Sequence, residues 1–375
     1  MKTLSMFSYF GGKARLAPLI CDLIDYDGTD IYLEPFGGAC RVLLNKARHD
    51  VEIYNDSSAG LCAFVSMMSN QDTAHELIAR LYETEYSQEQ FDWALDIRNK
   101  ADDSIGVQVS KDLMRFYEKI TRKMEQCPDY QLTPDEMKEA KFVLNNWKTF
   151  KDSYDTYHTN REKYNPKPDK KKQDKQSSSG HKAQGKKELE ELDVGDYTIA
   201  YPQYELYDIS EIDLAVATYV VYAQSRDAMG KYWTSYKYKS QEDYYRQIDR
   251  LYDVADRLEG VQVNQADALA YFDANSYIDQ PNVFCYADPS YLDTKTEKKD
   301  LGSPVYKHPF EHEDHKKFLE KVCKAKCKMI ISNYDNDLYN ERLCDWNKIE
   351  IPTKTSVGGK ADNRRTEVLW YNYSI

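Results

Sequence analysis

The sequence lacks the features of a membrane or secreted protein. It contains no apolar run long enough to span a bilayer, and we expect no signal peptide, so we predict a cytoplasmic protein. The eight cysteines are scattered without a Cys-x-x-Cys pair, which favours reduced thiols over disulfides or a zinc site. His308, His312 and His315 lie in a charged stretch rather than in a ligand pattern. We therefore predict no bound metal.

Positive charge is also in short supply. The formal net charge of −12 over 375 residues excludes a surface coated uniformly with lysine and arginine, but a local basic cluster can still bind nucleic acid. Residues 161–187 form such a cluster, with ten Lys and Arg against three Asp and Glu. The low apolar content around it predicts a flexible arm at about residues 155–205. Phosphate contact and a solvated linker both fit this composition.

Two glycine pairs stand in turns that precede predicted helices. Residues 7–13, Phe-Ser-Tyr-Phe-Gly-Gly-Lys, allow a tight turn and a close backbone approach to a ligand, and Lys13 adds a charge that suits a carboxylate. The second pair lies in residues 34–38, Glu-Pro-Phe-Gly-Gly, between a predicted strand at 31–33 and a helix that begins near Arg41. This order of strand, glycine turn and helix is typical of loops that bind adenosine-type cofactors.

Acidic residues follow the predicted strands. Glu34 ends the first strand and can pair with a cationic or hydroxyl-bearing ligand group. Asp56 follows a second strand at 52–54, where ribose hydroxyls are usually held, and Asp267 follows a strand at 261–263. A βαβ unit with a capping aspartate is the plainer interpretation of the same pattern.

The middle of the chain has a helical pattern. Apolar residues at helical spacing predict helices at 58–69, 73–84, 87–100, 108–126, 133–150, 211–224 and 241–259. This interruption of the strand–helix alternation suggests an inserted domain. The polar, aromatic loop at 225–233 carries Arg226 and Lys231, which we expect to face phosphates or base edges of a nucleic acid.

A second candidate site follows a buried strand in the C-terminal part. Residues 283–287 are apolar on both faces, and Asp288-Pro289-Ser290-Tyr291 comes directly after them. A carboxylate, a backbone-fixing ring and an aromatic face thus meet at the strand end where α/β sheets bind ligands. A strand with a Pro-Ser turn is the plainer alternative. A later strand at 328–332 and a hairpin of 346–351 with 366–373 complete the predicted sheet.

In this order, and separated by a helical insert, the motifs resemble those of the Dam-like family of DNA adenine-N6 methyltransferases. Residues 7–13 are similar to the family's Phe-x-Tyr-x-Gly-Gly-Lys motif, and residues 34–38 to its methionine-binding loop. Residues 55–56, Asn-Asp, are similar to its ribose-binding motif. Residues 288–291 match the catalytic Asp-Pro-Pro-Tyr except at Ser290, and residues 332–335 resemble a later Ser-Asn-x-Asp motif.

The resemblance implies a fold and a reaction. The fold is α/β, with a Rossmann-like methyltransferase sheet that has helices on both faces, formed by residues 1–58 and 258–375. Residues 59–257 are expected to form an inserted, mainly helical target-recognition domain that contains the basic arm. The reaction is methyl transfer from S-adenosyl-L-methionine to the N6 amino group of adenine in double-stranded DNA after base flipping. A monomer or weak dimer is implied, and a restriction endonuclease partner stays open.

The resemblance also assigns roles to residues. Asp288 and the Pro289 carbonyl would accept the amino hydrogens, and Tyr291 would stack on the flipped base. The implied cofactor-binding residues are Tyr9, Gly12, Lys13, Glu34, Pro35, Phe36, Gly38, Asp56 and Asp267, the last beside the adenine ring of the cofactor.

Two positions depart from the family pattern. Ser290 replaces the second proline, which restores an N–H group and loosens the turn. Cys40 stands where many members have glycine, so we expect a loop less close to the cofactor. Ser290 keeps open a catalytically weak or inactive nucleic-acid-binding protein on the same fold. RNA or cytosine-N4 amino-methylation is a further alternative, although Asp at position 288 favours adenine.

Overall fold

A computed structural model gives the fold of most of the chain. It describes residues 3–101, 119–120, 123, 131, 133–134, 136, 191–193, 198–200, 209–226, 228–273, 276–292, 310, 312–354 and 364–374. The chain divides into two compact units, residues 1–101 with 209–375 and residues 102–208. The basic arm predicted at 155–205 and the helices predicted at 108–126 and 133–150 lie almost entirely outside the described residues.

A mixed sheet forms the centre of the first unit. Its strands are β1 (Ile31–Glu34), β2 (Val51–Asp56), β5 (Gln262–Gln265), β6 (Val283–Ala287), β7 (Lys328–Tyr334), β8 (Asn347–Lys354) and β9 (Arg364–Tyr371), in the order β5-β2-β1-β6-β7-β9-β8. The first five strands in this order run parallel, and β9 and β8 form the predicted antiparallel hairpin at one edge. In the second unit β3 (Glu191–Asp193) pairs antiparallel with β4 (Thr198–Ala200).

Helices cover both faces of the large sheet. They are α1 (Ala17–Leu23), α2 (Arg41–Asn45), α3 (Ala59–Met68), α4 (Gln71–Tyr82), α5 (Glu211–Gln224), α6 (Gln241–Ile248), α7 (Leu251–Leu258), α8 (His312–Val322) and α9 (Asp337–Arg342), and residues 88–101 are also helical. Because side chains alternate along a strand, Tyr32 and Tyr286 face a core shared with α1–α7. Leu33 and Cys285 face a second core shared with α8 and α9. The predicted α/β, Rossmann-like class with helices on both faces is confirmed.

Helix α5 leads into the polar, aromatic loop at residues 225–233. Its residues from Ala215 to Gln224 are all buried, and Ser210 caps its first turn by accepting a hydrogen bond from the Asp213 N–H. It packs closely on α3, where a Cβ at Gly60 would lie 2.4 Å from the Thr218 hydroxyl oxygen. The loop at 225–233 leaves the end of this buried helix. No helix among the described residues is long and apolar enough to cross a membrane.

The region between the motifs differs in one respect from the prediction. The single helix predicted at 241–259 is wrong, because the chain forms α6 and α7 with a turn at Asp249 and Arg250. Asp249 accepts a hydrogen bond from the Tyr82 hydroxyl of α4 at this turn. The two compact units divide at residues 101 and 209, inside the predicted insert of 59–257, so α3–α7 belong to the unit that contains the sheet. The limits of a target-recognition region stay a prediction.

Candidate active site

The loops that follow β1, β2 and β5 meet at the carboxyl edge of the sheet. The buried side chain of Asn55 joins them, because its amide nitrogen donates to the Pro35 carbonyl at 2.9 Å and to the Ala266 carbonyl at 3.1 Å. The Ala266 N–H in turn donates to the Asn55 side-chain oxygen at 3.0 Å. One amide thus fixes the two loops on either side of the second strand, so the spacing of the predicted cofactor residues depends on it.

The loop after β1 needs its glycines for steric reasons. A Cβ at Gly37 would lie 2.1 Å from Cε2 of Tyr54, and Gly38 has a φ of +49°. The Tyr54 hydroxyl donates to the Gly38 carbonyl at 2.8 Å. Cys40 also has a left-handed φ of 40°, which explains why glycine suits this position, and its thiol is buried 3.7 Å from the Met6 sulfur. The loop therefore packs directly against the ring of Tyr54.

Asp56 locks this loop to the second strand. Its Oδ2 accepts the Gly38 N–H at 2.8 Å, and its Oδ1 accepts the Ser58 N–H at 2.8 Å. Burial raises the pKa of Asp56, although these backbone hydrogen bonds act in the opposite direction. Asp267 is exposed and caps a short 3₁₀ turn by accepting the Leu269 N–H at 2.9 Å. Both carboxylates retain free acceptor positions, because each oxygen has two lone pairs.

The side chain of Glu34 is buried under the loop after β1. Its Oε2 accepts the Tyr32 hydroxyl at 2.8 Å and the Leu43 N–H in α2 at 3.1 Å. Burial raises the pKa of Glu34 to about 8, and the nearby charge of Asp288 acts in the same direction. Glu34 is therefore mainly a neutral acid at pH 7, and in this position it holds the first turn of α2.

Lys13 joins the N-terminal loop to the 288–291 stretch. Its ammonium nitrogen lies 2.7 Å from Oδ2 of Asp288 and donates to the Gly11 carbonyl at 2.9 Å. The same nitrogen lies over the ring of Tyr291, 4.6 Å from its centroid. The side chain of Lys13 is only 9% exposed, whereas Gly11 and Gly12 are exposed. The sequence predicted a ligand carboxylate as the partner of Lys13, and the structure places the lysine against Asp288.

The end of β7 holds the 288–291 stretch from both sides. The Ser332 hydroxyl donates to Oδ1 of Asp288 at 2.7 Å and lies 3.0 Å from the Tyr286 hydroxyl. The buried Asn333 accepts the Leu292 N–H at 3.3 Å. Ser332 and Asn333 belong to the later motif recognised in the sequence, which gave no role for either side chain. The Ser332 contact orients the Asp288 carboxylate, and the Asn333 contact fixes the backbone at Leu292.

Tyr291 is held by a residue that the sequence did not reveal. Its hydroxyl donates to Oε1 of Glu367, which lies opposite Tyr334 in the pairing of β7 with β9. The rings of Tyr291 and Tyr334 meet edge to face at 4.7 Å, and the Arg365 guanidinium lies over Tyr334 at 4.8 Å. Burial raises the pKa of both Tyr291 and Glu367. Only the strand register brings Glu367 here, and no motif marks it.

Residues 9–118 match the model of the D12 class N6 adenine-specific DNA methyltransferase family. The resemblance to adenine-N6 methyltransferases is therefore confirmed, and the match supports a methyltransferase that acts on adenine in DNA. The match covers the N-terminal loop from Tyr9 onwards and the loops after β1 and β2. It does not extend to residues 288–291, which contact the N-terminal loop through Lys13. No curated protein matches the chain.

Ser290, the departure from the methyltransferase pattern, makes a contact that proline cannot make. Its hydroxyl oxygen accepts the Phe310 N–H at 2.8 Å. The ring of Phe310 meets Phe36 of the loop after β1 edge to face at 5.2 Å, and it meets His315 of α8 at 4.7 Å. Phe36 also packs on Phe272 at 6.2 Å. Ser290 thus connects the 288–291 stretch, through Phe310, to Phe36 in the loop after β1.

The predicted DNA-binding residues lie beside the N-terminal loop. Arg226 and Lys231 are exposed, and the Arg226 N–H donates to the Tyr232 carbonyl at 2.9 Å. The Phe10 N–H donates to the Ala228 carbonyl at 3.1 Å, so the two loops share a backbone hydrogen bond. Exposed cations next to this N-terminal glycine loop are suited to phosphate contact.

Proposed function

We propose that the chain is a site-specific DNA methyltransferase that transfers a methyl group from S-adenosyl-L-methionine to N6 of adenine after base flipping. The observation that carries the proposal is the contact between Lys13 and Asp288, which joins the glycine loop to the acidic stretch at the carboxyl edge of the sheet. A polar cluster at this edge has the composition that amino-group methylation needs.

The residues present fit S-adenosyl-L-methionine. The exposed backbone of Gly11 and Gly12 leaves room for a close approach, and Asp56 offers remaining acceptor positions to ribose hydroxyls. The proposed binding set is Tyr9, Gly12, Lys13, Pro35, Phe36, Gly38, Asp56 and Asp267, whereas the buried Glu34 supports the loop by holding the first turn of α2. When bound, the cofactor supplies an electrophilic methyl group on a sulfonium centre. The chain's contribution is then to bind, orient and exclude water.

Asp288 and Pro289 would hold the methyl acceptor. The amino group of adenine is a poor nucleophile because its lone pair is delocalised into the ring. Two acceptors, the Asp288 carboxylate and the Pro289 carbonyl, would bind both amino hydrogens and aim the nitrogen for in-line attack. The hydrogen bond from Ser332 leaves Oδ2 as the oxygen of Asp288 that faces Lys13. The carboxylate would also stabilise the positive charge that develops on the nitrogen.

Tyr291 would receive the base after it has left the duplex. In B-DNA the adenine amino group is paired, so the target has to be extruded before it can react. The ring of Tyr291 is fixed by Glu367 through its hydroxyl and by an edge-to-face contact with Tyr334. A rigid aromatic ring stacks on a base at low entropic cost. Arg226 and Lys231 would contact the DNA beside this position.

The test is methyl transfer to DNA from cells that lack adenine methylation. Tritiated S-adenosyl-L-methionine is incubated with the protein, and the methylated base is identified after digestion; we expect N6-methyladenine, and none with Asp288→Ala. Detection of N4-methylcytosine, or of methyl groups in RNA only, would replace adenine in DNA as the substrate. Binding of DNA and cofactor without transfer would indicate a nucleic-acid-binding protein on this fold.

A further inference from the structure

Glu367 is a carboxylate of the site that no motif includes. It lies on β9 opposite Tyr334, and its side chain is 13% exposed. Its Oε1 accepts the Tyr291 hydroxyl and lies 4.0 Å from the ammonium nitrogen of Lys13. Glu367 therefore reaches two residues of the proposed acceptor site at once, from the edge hairpin of the sheet.

The ammonium group of Lys13 lies between two carboxylates at unequal distances. Asp288 is at 2.7 Å and the Gly11 carbonyl at 2.9 Å, so these contacts use two of its three N–H donors. Glu367, at 4.0 Å, is beyond hydrogen-bond distance. A shift of the ammonium nitrogen by about 1 Å would bring it within the range of a charge-assisted hydrogen bond to Glu367.

Binding of the adenine amino group would bring a third donor to Asp288. Oδ1 already accepts from Ser332 and Oδ2 from Lys13, so the incoming N–H would share an oxygen with a donor that is already bound. A carboxylate paired with lysine also stabilises a positive charge on the substrate nitrogen less well. Leaving Lys13 without a partner would be costly, since the side chain is 9% exposed. A second carboxylate within reach removes this cost.

We propose that Glu367 is a positioning residue of the methyl-acceptor site. It takes Lys13 from Asp288 when the amino group of adenine binds, and it fixes the ring of Tyr291 through the tyrosine hydroxyl. The inference rests on the proposed function, because it assigns Glu367 a role in the same transfer.

The test separates the two contacts by mutation. Glu367→Gln keeps an acceptor for Tyr291 but loses the charge that attracts Lys13, whereas Glu367→Ala loses both. We expect single-turnover methyl transfer to fall about 100-fold in Glu367→Ala and less in Glu367→Gln, with cofactor affinity changed less than about twofold. Tyr291→Phe should slow Glu367→Gln further, because it removes the remaining contact between the two side chains. Glu350→Gln, on the neighbouring strand β8, is the matched control, because Glu350 is exposed and pairs with Lys348.

A spectroscopic readout makes the test independent of turnover. Site-specific 3-fluorotyrosine at position 291 reports the contact by ¹⁹F NMR, and we expect its resonance to shift in Glu367→Ala but not in Glu350→Gln. An active wild-type protein whose Glu367→Ala variant retains its rate, or whose resonance is unmoved, would overturn the role of Glu367. A wild-type protein that methylates no DNA would instead overturn the proposed function, whatever the resonance does.

Discussion

Two buried lysines, Lys13 and Lys46, lie beside carboxylates in the described part of the unit that contains the sheet, and their surroundings differ. Lys46 is fully buried and donates to the Ala47 carbonyl at 2.9 Å, to Nδ1 of His49 at 2.9 Å and to Glu52. Arg257 binds both oxygens of Glu52, at 2.6 and 2.9 Å. All three donors of Lys46 thus have partners, and one carboxylate serves two cations. We call these residues the closed cluster.

The cluster of Lys13, Asp288 and Glu367 has the opposite composition, one cation and two carboxyl groups. Only two donors of Lys13 are used at hydrogen-bond distance, and the second carboxyl group stands at 4.0 Å. Acceptor capacity is therefore left over at the edge where ligands bind in α/β sheets. The difference suggests that the closed cluster serves folding and that the Lys13 cluster serves a substrate, and mutations can separate these roles.

The largest effect should come from Asp288→Asn. The amide is neutral and one of its two polar atoms is a donor, so it cannot both accept the adenine amino group and stabilise positive charge there. We expect the rate of methyl transfer to fall about 10³-fold, while the free energy of unfolding in urea changes by less than about 1 kcal/mol. A variant that retains its rate would exclude Asp288 from the site, and one that unfolds would make it part of the structural core.

Glu52→Gln should have the opposite outcome. The substitution leaves Lys46 and Arg257 close together without a counter-charge in a buried place, so we expect the free energy of unfolding to fall by about 3 kcal/mol. The folded fraction should retain the cofactor affinity of the wild-type protein. Urea denaturation measures the first quantity and calorimetric titration the second. Loss of cofactor binding without loss of stability would contradict the distinction between the two clusters.

The sequence indicated the local structure of the loops after β1 and β2 better than the contacts of residues 288–291. The loops after β1 and β2 carry local signals, glycine pairs and a strand-terminal aspartate, and the structure brings Gly38 and Asp56 within 2.8 Å. The contact of Tyr291 with Glu367 joins residues 76 positions apart and depends on the register of β9 against β7. A pattern within one segment carries no information about such a pairing. The break at Asp249 was missed for a similar reason, since its partner Tyr82 lies in another helix.

The closed cluster should also give the protein a sensitivity to acid. Burial lowers the pKa of His49 from its ordinary 6.5 to about 4, and the charge of Lys46 acts in the same direction. The unfolded chain therefore binds a proton near pH 6.5 that the folded protein resists, so this contribution to stability is present above pH 6.5 and is lost as the pH falls towards 4. We expect a loss of about 3 kcal/mol from this group by pH 4.

His49→Gln tests the assignment, because glutamine keeps an acceptor for Lys46 and does not titrate. Urea denaturation at intervals from pH 7 to pH 4 should give a flatter profile for this variant than for the wild-type protein. Burial also lowers the pKa of His315, to about 3, so this residue adds to the fall in unfolding free energy at acid pH. His315→Gln should therefore flatten the pH profile of the unfolding free energy independently of His49→Gln. His75→Gln is the control, because His75 is exposed on α4. Identical stability profiles for His49→Gln and His75→Gln would show that His49 does not contribute to the loss of stability at acid pH.

We expect the smallest effect at Ser290, a neutral residue in the same stretch as Asp288, the partner of Lys13. One neutral hydrogen bond contributes about 1 kcal/mol, so loss of the Ser290 hydroxyl in Ser290→Ala should change a kinetic constant that depends on this contact by about fivefold. Because Phe310 packs on Phe36, we expect this change in the KM for S-adenosyl-L-methionine rather than in kcat. Ser290→Pro restores the family residue but also lacks the acceptor, so it should behave like Ser290→Ala. Ser290→Thr keeps the hydroxyl and should match the wild-type protein.

The proline variant decides what the departure from the family means. If Ser290 were a defect in an otherwise ordinary acceptor site, Ser290→Pro would raise kcat and leave the KM for the cofactor unchanged. If the Ser290 hydroxyl instead holds Phe310 in place, proline at position 290 lowers the affinity of this chain for the cofactor. Steady-state kinetics of the three variants separates these cases, because the first predicts a gain in kcat and the second a loss in affinity that threonine rescues.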